Sequence, residues 1–162
     1  MVFSGQLDAI SGFRKLIDLS GLASDNGFYD LNGNLNYYNV ATGPTPTIGI
    51  ATDFLAALTF DGITTKGYVN GIEQFNFISA GAGYPSSLSD LILFEDDFAT
   101  GQREASSGSM DFLQIYDGAL SGEEVGKITG PTDPSPVPLP ASAPILLAGL
   151  GTLAALRRSK RS

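Results

Sequence analysis

TTKGYVNGIEQFNF, residues 64 to 77, is two short runs of β-favouring residues joined by Asn70-Gly71. Asn and Gly both tolerate positive φ, which a two-residue type I′ hairpin turn demands at each central position. The spacing predicts strands over Thr64–Val69 and Ile72–Phe77, with Val69 facing Ile72, Tyr68 facing Glu73 and Lys66 facing Phe75. That register would set Tyr68, Phe75 and Phe77 on one face. Outward from this hairpin, Gly, Asn and Asp interrupt residues 13 to 117 at short intervals, and no window keeps a helical stripe. Further strands are expected over Phe13–Leu19, Gly27–Leu31, Asn34–Asn39, Phe54–Asp61, Asp90–Phe94 and Met110–Tyr116, with Asn32-Gly33 repeating the turn chemistry. Past the last strand, Ser121 and Glu124 have capping-box spacing, which predicts a short helix over Gly122–Ile128. The body is therefore expected to be all-β, an antiparallel β-sandwich with one late helical turn.

The chain has 162 residues, enough for one domain and a short appendage. Its net charge of -8 is unevenly placed: residues 1 to 130 hold 16 acidic and 5 basic side chains, residues 131 to 162 hold 1 and 4. An acidic body without a Lys/Arg cluster repels phosphate backbones, which excludes nucleic acid as a partner. Cysteine and histidine are absent, so disulfides, thiolates, imidazole bases and the usual zinc ligands are excluded together. Any metal must be a hard cation held by oxygen.

The last 33 residues divide into three parts. GPTDPSPVPLPASA, residues 130 to 143, holds five prolines, which lack the amide donor that helices and central strands require. Residues 131–143 thus read as an extended linker. ASAPILLAGLGTLAAL, residues 141 to 156, is free of charge, and Arg157, Arg158, Lys160 and Arg161 follow at once. A bilayer core of about 30 Å needs about 20 helical residues, with roughly 17 as the lower limit. The uniform hydrophobicity and basic stop predict a transmembrane helix over residues 144–156 and a basic cytoplasmic tail over 157–162, with the acidic body outside.

Val137-Pro138-Leu139-Pro140-Ala141, followed by the span and the Arg-rich end, resembles the PEP-CTERM class of bacterial sorting signals in its VPLPA variant. The resemblance implies an exosortase as partner, which would cut near the motif. It also implies passage through the inner membrane, body on the periplasmic side, to the cell surface or extracellular matrix. The plain alternative is a stiff spacer before an anchor. MVFSGQLDAISGF, at the start, has neither the basic nor the apolar region of a signal peptide, so the true start is expected upstream of Met1.

In the body, ALTFDG, GYVNGIEQF, DLILFEDDF and SGSMDFLQIYDGALSGEEV together resemble the C-terminal half of a laminin-G-like, concanavalin-A-like jelly roll. The resemblance implies two antiparallel sheets over residues 1–130, incomplete at the N-terminus. Members of that class include sugar binders, calcium-dependent adhesion modules and glycosidases, so the site must decide. A retaining glycosidase needs two carboxylates about 5 Å apart, and in Glu95-Asp96-Asp97 strand alternation would let Glu95 and Asp97 alone converge. No catalytic residue is assigned, and the chain is not read as an enzyme. Glu95, Asp96 and Asp97 are candidate calcium ligands, with a solvated acidic loop as the plainer reading. Asp111 and Asp117 read as structural. Tyr29, Tyr37, Tyr38 and Tyr84 would stack on sugar rings if exposed, against the plainer reading of half-buried sheet residues. These observations lead to a non-enzymatic surface or matrix module sorted by its tail. The alternatives are a lectin-like module binding polysaccharide, or a gene fragment with no independent function.

Overall fold

A computed structural model describes residues 1–79, 91–98 and 100–129. Its elements run β1 (Val2–Leu7), β2 (Phe13–Asp18), β3 (Gly27–Leu31), β4 (Asn34–Tyr37), β5 (Ala41–Thr42), β6 (Phe54–Phe60), β7 (Thr64–Val69), β8 (Ile72–Ile78), β9 (Ile92–Leu93), β10 (Gly108–Gln114) and α1 (Gly122–Gly126). They form two five-stranded sheets, ordered β10-β1-β6-β7-β8 and β5-β4-β3-β2-β9, with neighbouring strands antiparallel. Alternation along each strand feeds a core between the sheets: Phe54, Ala56 and Leu58 from β6 meet Leu16, Phe28, Leu35 and Tyr37 from the second sheet. Phe3 stands edge-on to Phe28 at 6.4 Å and to Phe54 at 5.6 Å between ring centroids.

A second apolar cluster lies on the outer face of the first sheet, where Val2, Ala57 and Tyr68 pack beneath Val125 of α1. One helical turn is too short to persist by itself. It is held by the predicted capping box, Glu124 N–H donating to Ser121 Oγ at 3.3 Å and Ser121 N–H to Glu124 Oε2 at 2.8 Å. Burial of Val125, fully out of solvent, adds roughly 1.5–3 kcal/mol. The helix ends at Gly126, two residues short of the expected Ile128.

The hairpin turns at Asn70 (φ 51°) and Gly71 (φ 80°) as predicted, with Val69 opposite Ile72 and Tyr68 opposite Glu73. The register then shifts: Phe75 faces Gly67, not Lys66, because Gln74 is an extra residue in β8. Phe75 and Phe77 therefore join the core while Tyr68 lies on the outer face, so the three rings do not share a side. Gly67 gives the physical reason. Its missing side chain leaves a gap that the Phe75 ring fills, and a Cβ there would sit 2.7 Å from Phe75 Cε1.

No strand was expected in residues 2 to 7, yet β1 is an interior strand of the first sheet, between β10 and β6. Its alternation is broken at Ser4/Gly5, where the ladder to β10 shifts and Gly5 passes so close to the Ser109 carbonyl that no Cβ would fit. A glycine inside a six-residue run reads as a loop in sequence and as a close approach in structure. The two-residue β5 was likewise not foreseen. The strand expected over Asp90–Phe94 is described as Ile92–Leu93, and the one over Met110–Tyr116 runs Gly108–Gln114. The linker at 131–143 with Val137, Pro138, Leu139, Pro140 and Ala141, the span at 144–156 and Arg157, Arg158, Lys160 and Arg161 lie outside the described residues. Among the described residues, no helix is long and apolar enough to cross a membrane.

Candidate functional site

Because Phe28 points into the core, its neighbour Tyr29 points out of the second sheet, and Lys15 stands directly across from it on β2. This outward face does not meet solvent: Lys15, Tyr29 and Asp18 are all fully buried. Residues 19 to 26, joining β2 to β3, and residues 94 to 107, leading to β10, enclose it. The second segment is fastened to β2 by Phe94 N–H to Leu16 O at 3.1 Å and Lys15 N–H to Glu104 O at 2.7 Å.

Carboxylates organise both segments. Asp18 Oδ1 accepts the amides of Ser20 and Leu22, each at 2.9 Å, which folds the 19–26 loop back on the strand end. Asp96 Oδ2 accepts Thr100 Oγ1 at 2.7 Å and the Glu104 amide at 3.0 Å, and Asp97 Oδ1 accepts the Thr100 amide at 3.0 Å. Asp25, Asp96 and Asp97 are thereby brought together, one oxygen from each lying within 4.8 Å of the others. Lys15 Nζ sits 3.2 Å from Asp18 Oδ2 and 3.9 Å from Asp96 Oδ1, donates to the Tyr29 hydroxyl, and lies 4.3 Å from that ring's centroid.

The charges in this pocket do not balance. One ammonium, Lys15, faces Asp18, Asp25, Asp96 and Asp97, with Glu104 at the margin. The bond between Asp25 and Asp97 raises the Asp25 carboxyl above its ordinary range, burial adds to this, and the Tyr38 hydroxyl acts the other way. Burial raises Glu104, helped by Asp96 and Asp25, and burial likewise raises the Tyr29 phenol. Clustered carboxylates out of water must take up a proton or a cation. Oxygen ligands alone, three from carboxylates and the rest from carbonyls, water or ligand hydroxyls, suit calcium, which takes six to eight. Asp96 supports the fit: its side chain is wholly buried and Oδ1 has no hydrogen-bond partner, only the distant Lys15 ammonium.

The expected pairing of Glu95 with Asp97 does not occur. Glu95 is exposed and bonds Gln102 Nε2 at 3.1 Å. Strand alternation fails as a guide because β9 ends at Leu93 and Phe94 takes a φ of 60°. Asp25 was not singled out, since nothing local in Ser24-Asp25-Asn26 marks it as more than a loop residue. Of the tyrosines, Tyr29 and Tyr37 are fully buried and Tyr84 lies outside the described residues. Tyr38 is half-exposed, 5.7 Å from the Phe13 ring and 5.6 Å from Tyr29, and the neighbouring Asp25 raises its phenol above the ordinary range. Asp111 pairs across the sheet, accepting Ser4 Oγ of β1 at 3.1 Å, and Asp117 is exposed.

No protein-family model matches this chain, and no curated protein matches it. Solved structures do. A Bacteroides ovatus protein described as carbohydrate-binding superposes with a TM-score of 0.59 at 15% identity over 77% of this chain, which spans 38% of its length. The CBM40 domain of Ruminococcus gnavus IT-sialidase, bound to α2,3-sialyllactose, gives 0.57 at 17% identity and 80% of each chain. Domain 4 of AbnA, an extracellular GH43 arabinanase from Geobacillus stearothermophilus, in complex with arabinotriose, gives 0.54 at 17% identity, over 77% of this chain and 63% of its own. At such identities the likeness concerns the fold, and the chain has the antiparallel β-sandwich fold that these carbohydrate-binding domains share.

Proposed function

We propose that the body of this chain is a non-enzymatic carbohydrate-binding module that engages sugar at the solvent-reaching edge of the acidic cluster over the second sheet, beside Tyr38 and Asp25, and that residues 131–162 sort it to the bacterial surface. The observation that carries the first part is the half-exposed Tyr38 ring, stacked near Phe13 and Tyr29 beside the Asp25, Asp96 and Asp97 cluster. An aromatic plane offers stacking to the C–H face of a sugar, and a cation held by carboxylates offers its open positions to vicinal hydroxyls. Structural neighbours whose sandwiches bind carbohydrate favour this reading over an unspecified interaction module. Asp25, Asp96 and Asp97 would hold the calcium ion, which would complete the sugar contact. The raised Asp25 carboxyl lets protons compete with the metal, so calcium affinity should fall as pH drops.

Binding to a panel of immobilised neutral and acidic oligosaccharides, read with calcium chloride and again with chelator, tests this. Wild-type protein is expected to bind at least one glycan only with calcium, and Asp25→Asn and Tyr38→Ala are each expected to weaken it by about tenfold or more. Binding that ignores both substitutions, or no binding to any glycan, would sink the reading.

A further inference from the structure

The outer face of the first sheet is covered along only part of its length. Near α1, Ala57 and Tyr68 lie beneath Val125. Around Tyr68 the outward positions turn polar, with Thr59 on β6 opposite Lys66 on β7, and Glu73 on β8 opposite Tyr68 and diagonal to Lys66. These residues floor a cavity of about 470 Å³, walled by residues 119 to 122 on the way into α1. Its size falls within the roughly 300–1,000 Å³ of small-ligand sites.

The chemistry of the cavity selects a ligand class. Lys66 Nζ and Glu73 Oε2 pair at 3.5 Å, with the side chains 40% and 37% exposed. A pair this wet contributes at most about 1 kcal/mol to stability. It does present a donor and an acceptor side by side, the match for two neighbouring hydroxyls on one ring. Tyr68, only 4% exposed, closes the floor with an apolar surface that Leu120 extends along the wall. Asp61, at the open end, is fixed by the Ile63 and Thr64 amides at 2.9 and 2.7 Å and keeps its charge. With Asp61 and Glu73 against Lys66 alone, an anionic sugar is repelled.

We propose that this cavity binds a neutral hexose unit, giving the sandwich a second glycan contact on the face opposite the acidic cluster. A module with contacts on opposite faces bridges two polysaccharide strands. The inference extends the carbohydrate reading but depends on different residues.

The isotope-labelled full chain, kept in a detergent that contains no sugar and in the presence of calcium chloride, is titrated with maltotriose, cellotriose and 3′-sialyllactose while backbone amide shifts are followed. At least one neutral trimer is expected to shift the amides of Thr59, Lys66 and Glu73 saturably, with a Kd on the order of millimolar. 3′-Sialyllactose is expected to leave those amides in place. A Lys66→Ala, Glu73→Ala double variant is expected to keep a dispersed spectrum and weaken the neutral interaction at least about tenfold. The absence of a saturable shift there with either neutral trimer, equal affinity in the double variant, or shifts there from 3′-sialyllactose overturns the proposal. Shifts confined to Asp25 and Tyr38 overturn it while leaving the acidic-face reading intact; shifts in this cavity alone do the reverse.

Discussion

Asp30 is a carboxylate placed where the fold least tolerates one. It shares the inward face of β3 with Phe28 and stands between Arg14 and Leu35 of the adjoining strands, wholly buried. Burial pushes its carboxyl up to about 7 from 3.8, against the opposing pull of the Gly33 amide and the Arg14 guanidinium. In the unfolded chain the same group titrates near its ordinary value. Between pH 3.8 and about 7 the folded chain therefore binds more protons than the unfolded one, and stability falls as pH rises through that window, then levels off. A shift of this size corresponds to about 4 kcal/mol as an upper scale. Asp30→Asn keeps the shape and removes the charge. Thermal melts at pH 4 and pH 8 should show Asp30→Asn gaining over wild type at pH 8 and little changed at pH 4. Equal effects at both pH values would mean that the Asp30 carboxyl titrates alike in the folded and unfolded chains. The contrast with Asp61 is one of solvent: a carboxylate bonded by two amides at the surface is held below its ordinary range, while one buried in the sandwich is held above it.

The β7–β8 hairpin shows how far local chemistry reaches. Turn residues set its first two pairs correctly, and the bulge at Gln74 then moved Phe75 from the predicted partner to Gly67. If the Phe75 ring occupies space that a side chain on Gly67 would need, Gly67→Ala should destabilise the chain by roughly 1–3 kcal/mol in urea unfolding. Phe75→Leu, itself costly, should make Gly67→Ala milder, so that the double variant loses less than the sum of the singles. Strict additivity would show that the ring and the glycine are not coupled. This pair also marks the limit of sequence reading. Asn70-Gly71, Asn32-Gly33 and the Ser121/Glu124 cap are contiguous signals with one local solution each, and all three were legible. The bulge was not, because its cause lies across the sheet. The interior strand β1 was missed for a related reason: Gly5 and two polar residues, Ser4 and Gln6, hide a strand that only its neighbours β10 and β6 make necessary. At the candidate site, Asp96 and Asp97 stood out as an acidic run, whereas Asp25 joins them only through the return of the chain after β9, an arrangement no spacing rule encodes.

On the scale of the molecule, the dominant feature is charge segregation: a body with 16 acids and 5 bases, and a terminal segment with 1 and 4. Translocation machinery retains Lys and Arg near a span on the cytoplasmic side and is nearly indifferent to Asp and Glu. If residues 144–156 span a membrane as proposed, the acidic body would meet no charge barrier to export, while Arg157, Arg158, Lys160 and Arg161 would resist it. A sugar-binding sandwich is useful only where polysaccharide is, so its proposed function and the proposed sorting tail require the same compartment. Pro138 and Pro140 lack amide donors, and a segment of that composition is one a protease cleft accepts. The chain fused behind a signal peptide, in a host with an exosortase, should be processed near Val137 to Ala141, and a Pro138→Ala, Pro140→Ala double variant should remain uncut. Immunoblots of membrane and released fractions read both outcomes by size. Replacing the four terminal cations by glutamate should abolish retention of that end in the cytoplasm without touching the sandwich, which separates a sorting defect from a folding defect. Equal processing of the wild-type chain and the double variant, or a wild-type chain that is soluble and uncut, would leave residues 131–162 as a spacer or anchor and detach the sugar-binding reading from any claim about sorting.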